Sequence, residues 1–339
     1  MKYTKLLPRI AVGFIWLVLG VATLWATAAL GIDVRIAWLR LPLALVYGLG
    51  ILAAWIWVLR PWKLVFTAAG FLIVLFWWFS LQPSNNRDWQ PDLALLPYAD
   101  ITGNQVVIHN IRNCDYRTET DFTVQHYDRT FNLEALRTVD LYLVTWGSPD
   151  IAHTMISFGF TNGEYVCFSI ETRKEKGEDY SAVKGLFRQF ELTYIIADER
   201  DVVRLRTNYR KGEEACLYRL QVTPEQGRKL FLDYLRRANA LREHAEWYNA
   251  LTDNCTIAIR TQRDAADRAP WDWRVLLNGH LDELLYERST IVTNLPFAEL
   301  KKISNINAKA KAADQAADFS QQIRKGLPGC GEEPAATAR

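Results

Sequence analysis

Ile151–Thr172 reads IAHTMISFGFTNGEYVCFSIET, and the way this stretch pairs with itself decides the fold. Both halves alternate with a period of two, the signature of strands. In the first half Thr154, Ile156, Phe158 and Phe160 share an apolar face, while His153, Met155, Ser157 and Gly159 share the other. In the second half Val166, Phe168 and Ile170 oppose Tyr165, Cys167, Ser169 and Glu171. A two-residue Asn-Gly turn would set an apolar face against a polar one across the ladder. A three-residue loop, Thr161-Asn162-Gly163 with Gly163 left-handed, instead pairs Phe158 with Val166 and Ile156 with Phe168. That register sets His153 directly opposite Glu171, a carboxylate within reach of an imidazole. The plain alternative is a cross-strand His–Glu pair that serves the sheet alone.

Working outward, Gln105–Asn110, Leu141–Trp146, Val202–Arg206 and Ala215–Val222 also have strand length and β-branched or aromatic content. Thr223-Pro224-Glu225 opens a helix, with Thr as cap and Pro in first position. It runs to about His244, with Leu230, Phe231, Tyr234, Leu235 and Leu241 on one stripe. A second helix is expected from Cys255 to about Asp267. From Asn305 the chain turns alanine-rich and polar, reading as one helix and then a loose tail. Strands first and helices after is an α+β pattern, with no internal repeats.

The first quarter is different. Ile10–Ile32, Leu41–Leu59 and Leu64–Leu81 carry no charge, and about 20 apolar residues cross a bilayer as a helix. The first run is longer than a signal-peptide core and is followed at once by two more, so all three are read as retained spans. An inside N-terminus gathers Lys2, Lys5, Arg9, Arg60 and Lys63 in the cytoplasm and leaves Arg35, Arg40 and Arg87 outside. Three crossings then carry everything beyond about Pro83 across the membrane. The division is a membrane domain over 1–82, a polar, proline-bounded linker over 83–91 (QPSNNRDWQP from Gln82), an extracytoplasmic domain over 92–304, and a tail over 305–339.

Forty basic and 38 acidic residues nearly cancel, so bulk charge offers nothing to steer nucleic acid. No two Cys or His stand at the short spacings of compact zinc motifs, and no metal or cofactor is expected. The five cysteines, at 114, 167, 216, 255 and 330, fall in the outer domain; an odd count leaves at least one thiol without an intramolecular partner. Cys255, in WYNALTDNCTIAIR (Trp247–Arg260), is the best placed. Asn254 or Asp253 can cap a helix beginning there, and a thiol at a helix N-terminus has its pKa lowered toward neutrality. The first-turn amides can hold a developing oxyanion, and Tyr248 is a hydroxyl donor nearby. The bland reading is a buried cysteine in a core helix. Among the histidines His153 stands out; His109 and His126 are less well placed, and His244 and His280 read as surface residues.

The tracts DWQPDLALLPYADITGNQVVIHNIRN, WGSPDIAHTMISFGF, YVCFSIETRKEKGEDYSAVKG, ADERDVVRLRTNYR and WYNALTDNCTIAIR, between Asp88 and about Arg263, resemble the Lnb N-terminal periplasmic domain family. The resemblance implies a Cys–His catalytic pair, which maps onto His153 and Cys255. Histidine before cysteine resembles the circularly permuted papain-like fold of NlpC-type enzymes, with an antiparallel sheet and packed helices. There the orienting third residue lies on the strand after the histidine strand, where Glu171 stands. The chemistry implied is acyl transfer or hydrolysis through a thioester, on membrane lipid or lipoprotein, by a multi-pass protein of the bacterial inner membrane facing the periplasm. Two other readings stay open: an anchored NlpC-type cell-wall amidase or peptidase acting on wall peptide, and a non-catalytic binding module on the same fold.

Overall fold

The computed structural model describes residues 6–250 and 270–331. Cys255, Asn254 and the helix expected over 255–267 lie outside the described residues. The chain divides into two compact units. One joins residues up to Ser84 with Tyr180–Phe190; the other joins Asn85–Asp179 with the chain from Glu191 onward.

In the first unit α1 (Leu6–Asp33), α2 (Ala37–Trp57) and α3 (Arg60–Ser80) coincide with the three uncharged runs. Stretches of 23, 21 and 20 residues in them are long and apolar enough to cross a membrane. Their outward side chains are those of a lipid-facing surface: Phe14, Leu24, Trp57 and Phe76 are all exposed.

The second unit is α+β. Its strands are β1 (Tyr98–Thr102), β2 (Gln105–Arg112), β3 (Asp115–Tyr116), β4 (Phe122–Thr123), β5 (His126–Asn132), β6 (Leu136–Trp146), β7 (Ser148–Phe160), β8 (Tyr165–Arg173), β9 (Glu191–Ala197) and β10 (Glu213–Arg219). The main sheet runs β1-β2-β9-β8-β7-β6-β10, with β5 also on β2; β3 and β4 form a separate ribbon. All pairings are antiparallel except β2 with β9, so the sheet is mixed. The β7–β8 hairpin has the register read from its alternation: Phe158 faces Val166, Ile156 faces Phe168, and Gly163 is left-handed at φ 79°.

Two layers cover the sheet. On one face lies α5 (Pro224–Glu243), opened by a capping box between Thr223 and Gln226. Its Phe231 meets Phe158 and Phe168 edge-on at 5.0 and 5.7 Å, and Tyr234 meets Phe168 at 5.3 Å. The opposite face is also buried. Tyr142, Met155, Cys167 and Ile195 pack there with Val202 and Val203 and with Ile306, Ala310, Phe319, Ile323 and Leu327.

Three expectations are corrected. Val202–Arg206 is not a strand: α4 (Glu199–Arg204) continues into a π-helical turn, Leu205–Tyr209. Acidic Glu199 and Asp201 favour a first helical turn, and burial of Val202 and Val203 against the sheet outweighs β-branched propensity. Residues 305–331 are no loose tail, because their apolar side chains complete a core. Nor is 83–91 a free linker: Trp89 is buried under the Arg173 guanidinium, and Asn85 donates to the carbonyls of Leu241 and Arg242.

Candidate functional site

His153 lies near the start of β7, two residues before the ladder pair Met155–Ser169. Alternation puts His153 on the same face as Ser169 and Glu171 of β8. The three side chains form a relay. Ser169 Oγ donates to Glu171 Oε1 at 2.7 Å and lies 2.7 Å from His153 Nε2, while the direct His153–Glu171 separation is 3.7 Å. The single hydroxyl proton of Ser169 is committed to the carboxylate, so Nε2 must carry the proton that joins imidazole to hydroxyl. Nδ1 is left with its lone pair, the form a general base requires.

The charges around this relay keep the imidazole neutral. Burial first, and then the cationic Arg206, push His153 down to about 3, against the opposing pull of Glu171. Burial alone would raise Glu171, but Arg206, His153 and Arg112 outweigh it and hold the carboxyl far below its ordinary range. Arg206 Nη2 reaches Glu171 Oε1 at 3.3 Å and Nη1 reaches Glu213 at 3.2 Å. It stands in the π-helical turn, a local widening often found at functional sites. A pocket with Glu171 in its wall is also lined by Asp92, Arg112, Lys174, Arg206 and Arg210. Its arginines are already engaged: Arg112 with Asp201 and Asp92, Arg206 with Glu171 and Glu213, Arg210 with Glu213 and Glu119.

Both described ends of the chain that flank Cys255 are anchored near the relay. Before it, Glu246 accepts a backbone bond from Leu192 and Trp247 bridges Glu191, on β9, which pairs β8 through Glu171–Thr193. Tyr248 is buried there. After it, the Asn278 side chain clasps the backbone of Ala152, accepting from its N–H at 2.8 Å and donating to its carbonyl at 2.7 Å. Ala152 adjoins His153. Gly279 allows this approach, since a Cβ there would lie 1.9 Å from the Pro149 carbonyl oxygen.

The other four cysteines are free thiols. Burial pushes Cys114 up to about 12 and Cys216 and Cys330 to about 11, and lifts Cys167 well above its ordinary value. Such thiols are poor nucleophiles. His109 is held by Asp128 at 2.6 Å and Asp100 at 3.2 Å and stacks on Tyr98, while His280 bonds Asp150 at 2.8 Å. Both have structural partners. His244 is exposed at the end of α5. No group of His, Cys, Asp or Glu able to hold a metal occurs among the described residues.

Sequence reasoning passed over Ser169, Arg206 and Asn278. Ser169 could have been found, because alternation already set it between Cys167 and Glu171 on the histidine's face. Arg206 and Asn278 depend on tertiary contacts that no local pattern announces.

The sheet, its helical layers and the imidazole–hydroxyl–carboxylate relay define an α+β domain in a chain that also has three helices apolar enough to anchor it in a membrane. Residues 123–279 match the family described as Lnb N-terminal periplasmic domain. The match contains His153, Ser169, Glu171, Arg206 and Cys255. No curated protein and no solved structure gives a match.

Proposed function

We propose that the chain is a membrane-anchored periplasmic thiol enzyme of permuted papain-like type. Cys255 is the nucleophile, His153 its base, and Glu171 the orienting carboxylate acting through Ser169. The observation that carries this reading is the neutral His153 with Nε2 tied to Ser169 and Nδ1 left as acceptor. As Cys255 Sγ bonds to the acyl carbonyl carbon, its proton passes to Nδ1 and the carbonyl electron pair moves to oxygen. Tyr248 donates to that oxyanion, and the sequence assigns Asn254 a supporting place beside it. Collapse expels the donor's alkoxide, which takes the proton back from the imidazolium and leaves a thioester. Water or an amine acceptor, deprotonated by His153, then displaces the thiolate. The substrates on this reading are membrane lipid or lipoprotein acyl groups, consistent with a chain that carries three apolar helices.

Selective alkylation tests the nucleophile. In folded protein near neutral pH, iodoacetamide should modify Cys255 at least about tenfold faster than Cys114, Cys167, Cys216 or Cys330. Equal rates would remove Cys255 from the reaction. An unchanged rate on purified cell-wall peptide by a chain inert toward lipid would move the substrate class to the wall.

A further inference from the structure

The segment between β8 and β9 belongs with the apolar helices rather than with the sheet. Tyr180–Phe190 forms one compact unit with the chain up to Ser84. Phe187, 7% exposed, stacks on Trp25 of α1 at 6.4 Å. Trp25 in turn meets Phe71 at 6.0 Å and Trp78 at 5.2 Å, both on α3. Arg188 Nη1 donates to the carbonyls of Trp78, Phe79 and Leu81 at 2.9, 3.2 and 2.9 Å. A helix C-terminus leaves such carbonyls unsatisfied and attracts a cation. The guanidinium also lies 4.2 Å over the Trp78 ring and 5.3 Å over Phe79. Trp25, Phe71, Trp78 and Phe79 all belong to the stretches apolar enough to cross a membrane.

With Phe187 turned inward, the side chains the segment shows outward are apolar. Tyr180 is 47% exposed, Val183 59% and Leu186 39%, with Ala182 exposed between them. Lys184 is the one charge from Tyr180 to Phe187. This surface runs on from that of α3, where Phe76 and Phe79 are exposed and Arg188 touches Phe79. A scattered exposed Leu needs no explanation, but apolar exposure continuous with a lipid-facing helix does.

We propose that Tyr180–Leu186 is a membrane-inserted loop. Its Tyr180, Val183 and Leu186 side chains enter the phospholipid leaflet around the C-terminal ends of α1 and α3. An aromatic ring settles at that depth, and the Lys184 stem lies along apolar surface with its ammonium at the phosphates. The loop begins nine residues after Glu171 of β8, so the chain that carries the relay has a bilayer contact besides its three helices. The proposal does not depend on the thiol chemistry.

The full chain in nanodiscs of phosphatidylethanolamine and phosphatidylglycerol tests it, first without any substitution and then with a photoreactive residue. Hydroxyl-radical footprinting should oxidise Leu186 about tenfold more slowly than Leu95, which is 50% exposed on the sheet unit, because lipid excludes the radical. A photoreactive benzoylphenylalanine at position 183 should crosslink phospholipid as one at Leu17 of α1 does, and about tenfold above one at exposed Glu119. Oxidation of Leu186 at the Leu95 rate, crosslinking at the Glu119 level, or adducts with polypeptide in place of lipid would each overturn the proposal.

Discussion

The two faces of the β6–β9 meander are equally dry and differently built. On the α5 face Phe158 and Phe168 interlock with Phe231 and Tyr234, and packing carries the load. On the other face Arg324 donates to Glu199 at 2.6 and 2.7 Å and to Asp140 at 2.9 Å, while Tyr142 and Ser157 donate to Glu199 at 2.7 and 2.6 Å. Near the start of β7 the same face carries the His153 relay. Polar residues alternating with apolar ones along a strand therefore need not mean solvent. Here they mean a second interior, where buried charges hold each other and hold an imidazole neutral.

The largest expected effect breaks that second interior. Arg324→Ala takes the guanidinium from Glu199 and leaves Asp140 dependent on Arg219, both carboxylates being fully buried, at a cost of about 3–5 kcal/mol. Phe231→Ala on the first face costs a similar amount, about 3–5 kcal/mol, through a cavity. Acid separates them. Burial opposes ionisation of Glu199, but Arg324 dominates and lowers its pKa. Stability from that carboxylate is thus present above its unfolded pKa and lost as pH falls through the folded one. The Arg324→Ala deficit should shrink toward pH 4 in thermal melts, while the Phe231→Ala deficit should not. Parallel behaviour would mean the faces differ only in appearance.

Ser169→Ala sharpens the comparison at the relay. Imidazole and carboxylate, 3.7 Å apart, lose their bridge. Turnover should fall roughly 10–100-fold and stability by about 1–3 kcal/mol, because the Nε2–H loses its buried acceptor, and Ser169→Thr should restore much of both. The smallest effect belongs to Arg206→Gln. Removing that cation lets His153 rise from about 3 toward its ordinary value. The acid limb of kcat/KM should move up by about one pH unit. A downward shift would contradict the sign of the Arg206 contribution.

The hairpin register, the Thr223 cap and the three long apolar helices were legible because each rests on local rules: period two with a three-residue loop, a Thr cap followed by Pro, and uncharged runs of about 20 residues. Val202–Arg206 was misread because Val-Val and Leu suit a strand locally, whereas contact with the sheet selects a helix. β9 (ELTYIIA) went unread although it pairs with β8 throughout. The order around residues 305–331 was illegible because Arg324 meets Asp140 across 184 positions. Of the candidate site, His153 and Glu171 were legible as an alternation and a register. Ser169 between them, and the arginine that sets their charge, are facts of the assembled sheet.

The thioester is the central claim, and intact-peptide mass spectrometry of the full chain purified from membranes tests it most directly. The account expects an acyl adduct on the peptide containing Cys255, released by neutral hydroxylamine, absent from His153→Ala, with Cys114, Cys167, Cys216 and Cys330 unmodified. An adduct that persists undiminished in His153→Ala, or that sits on another cysteine, would contradict it.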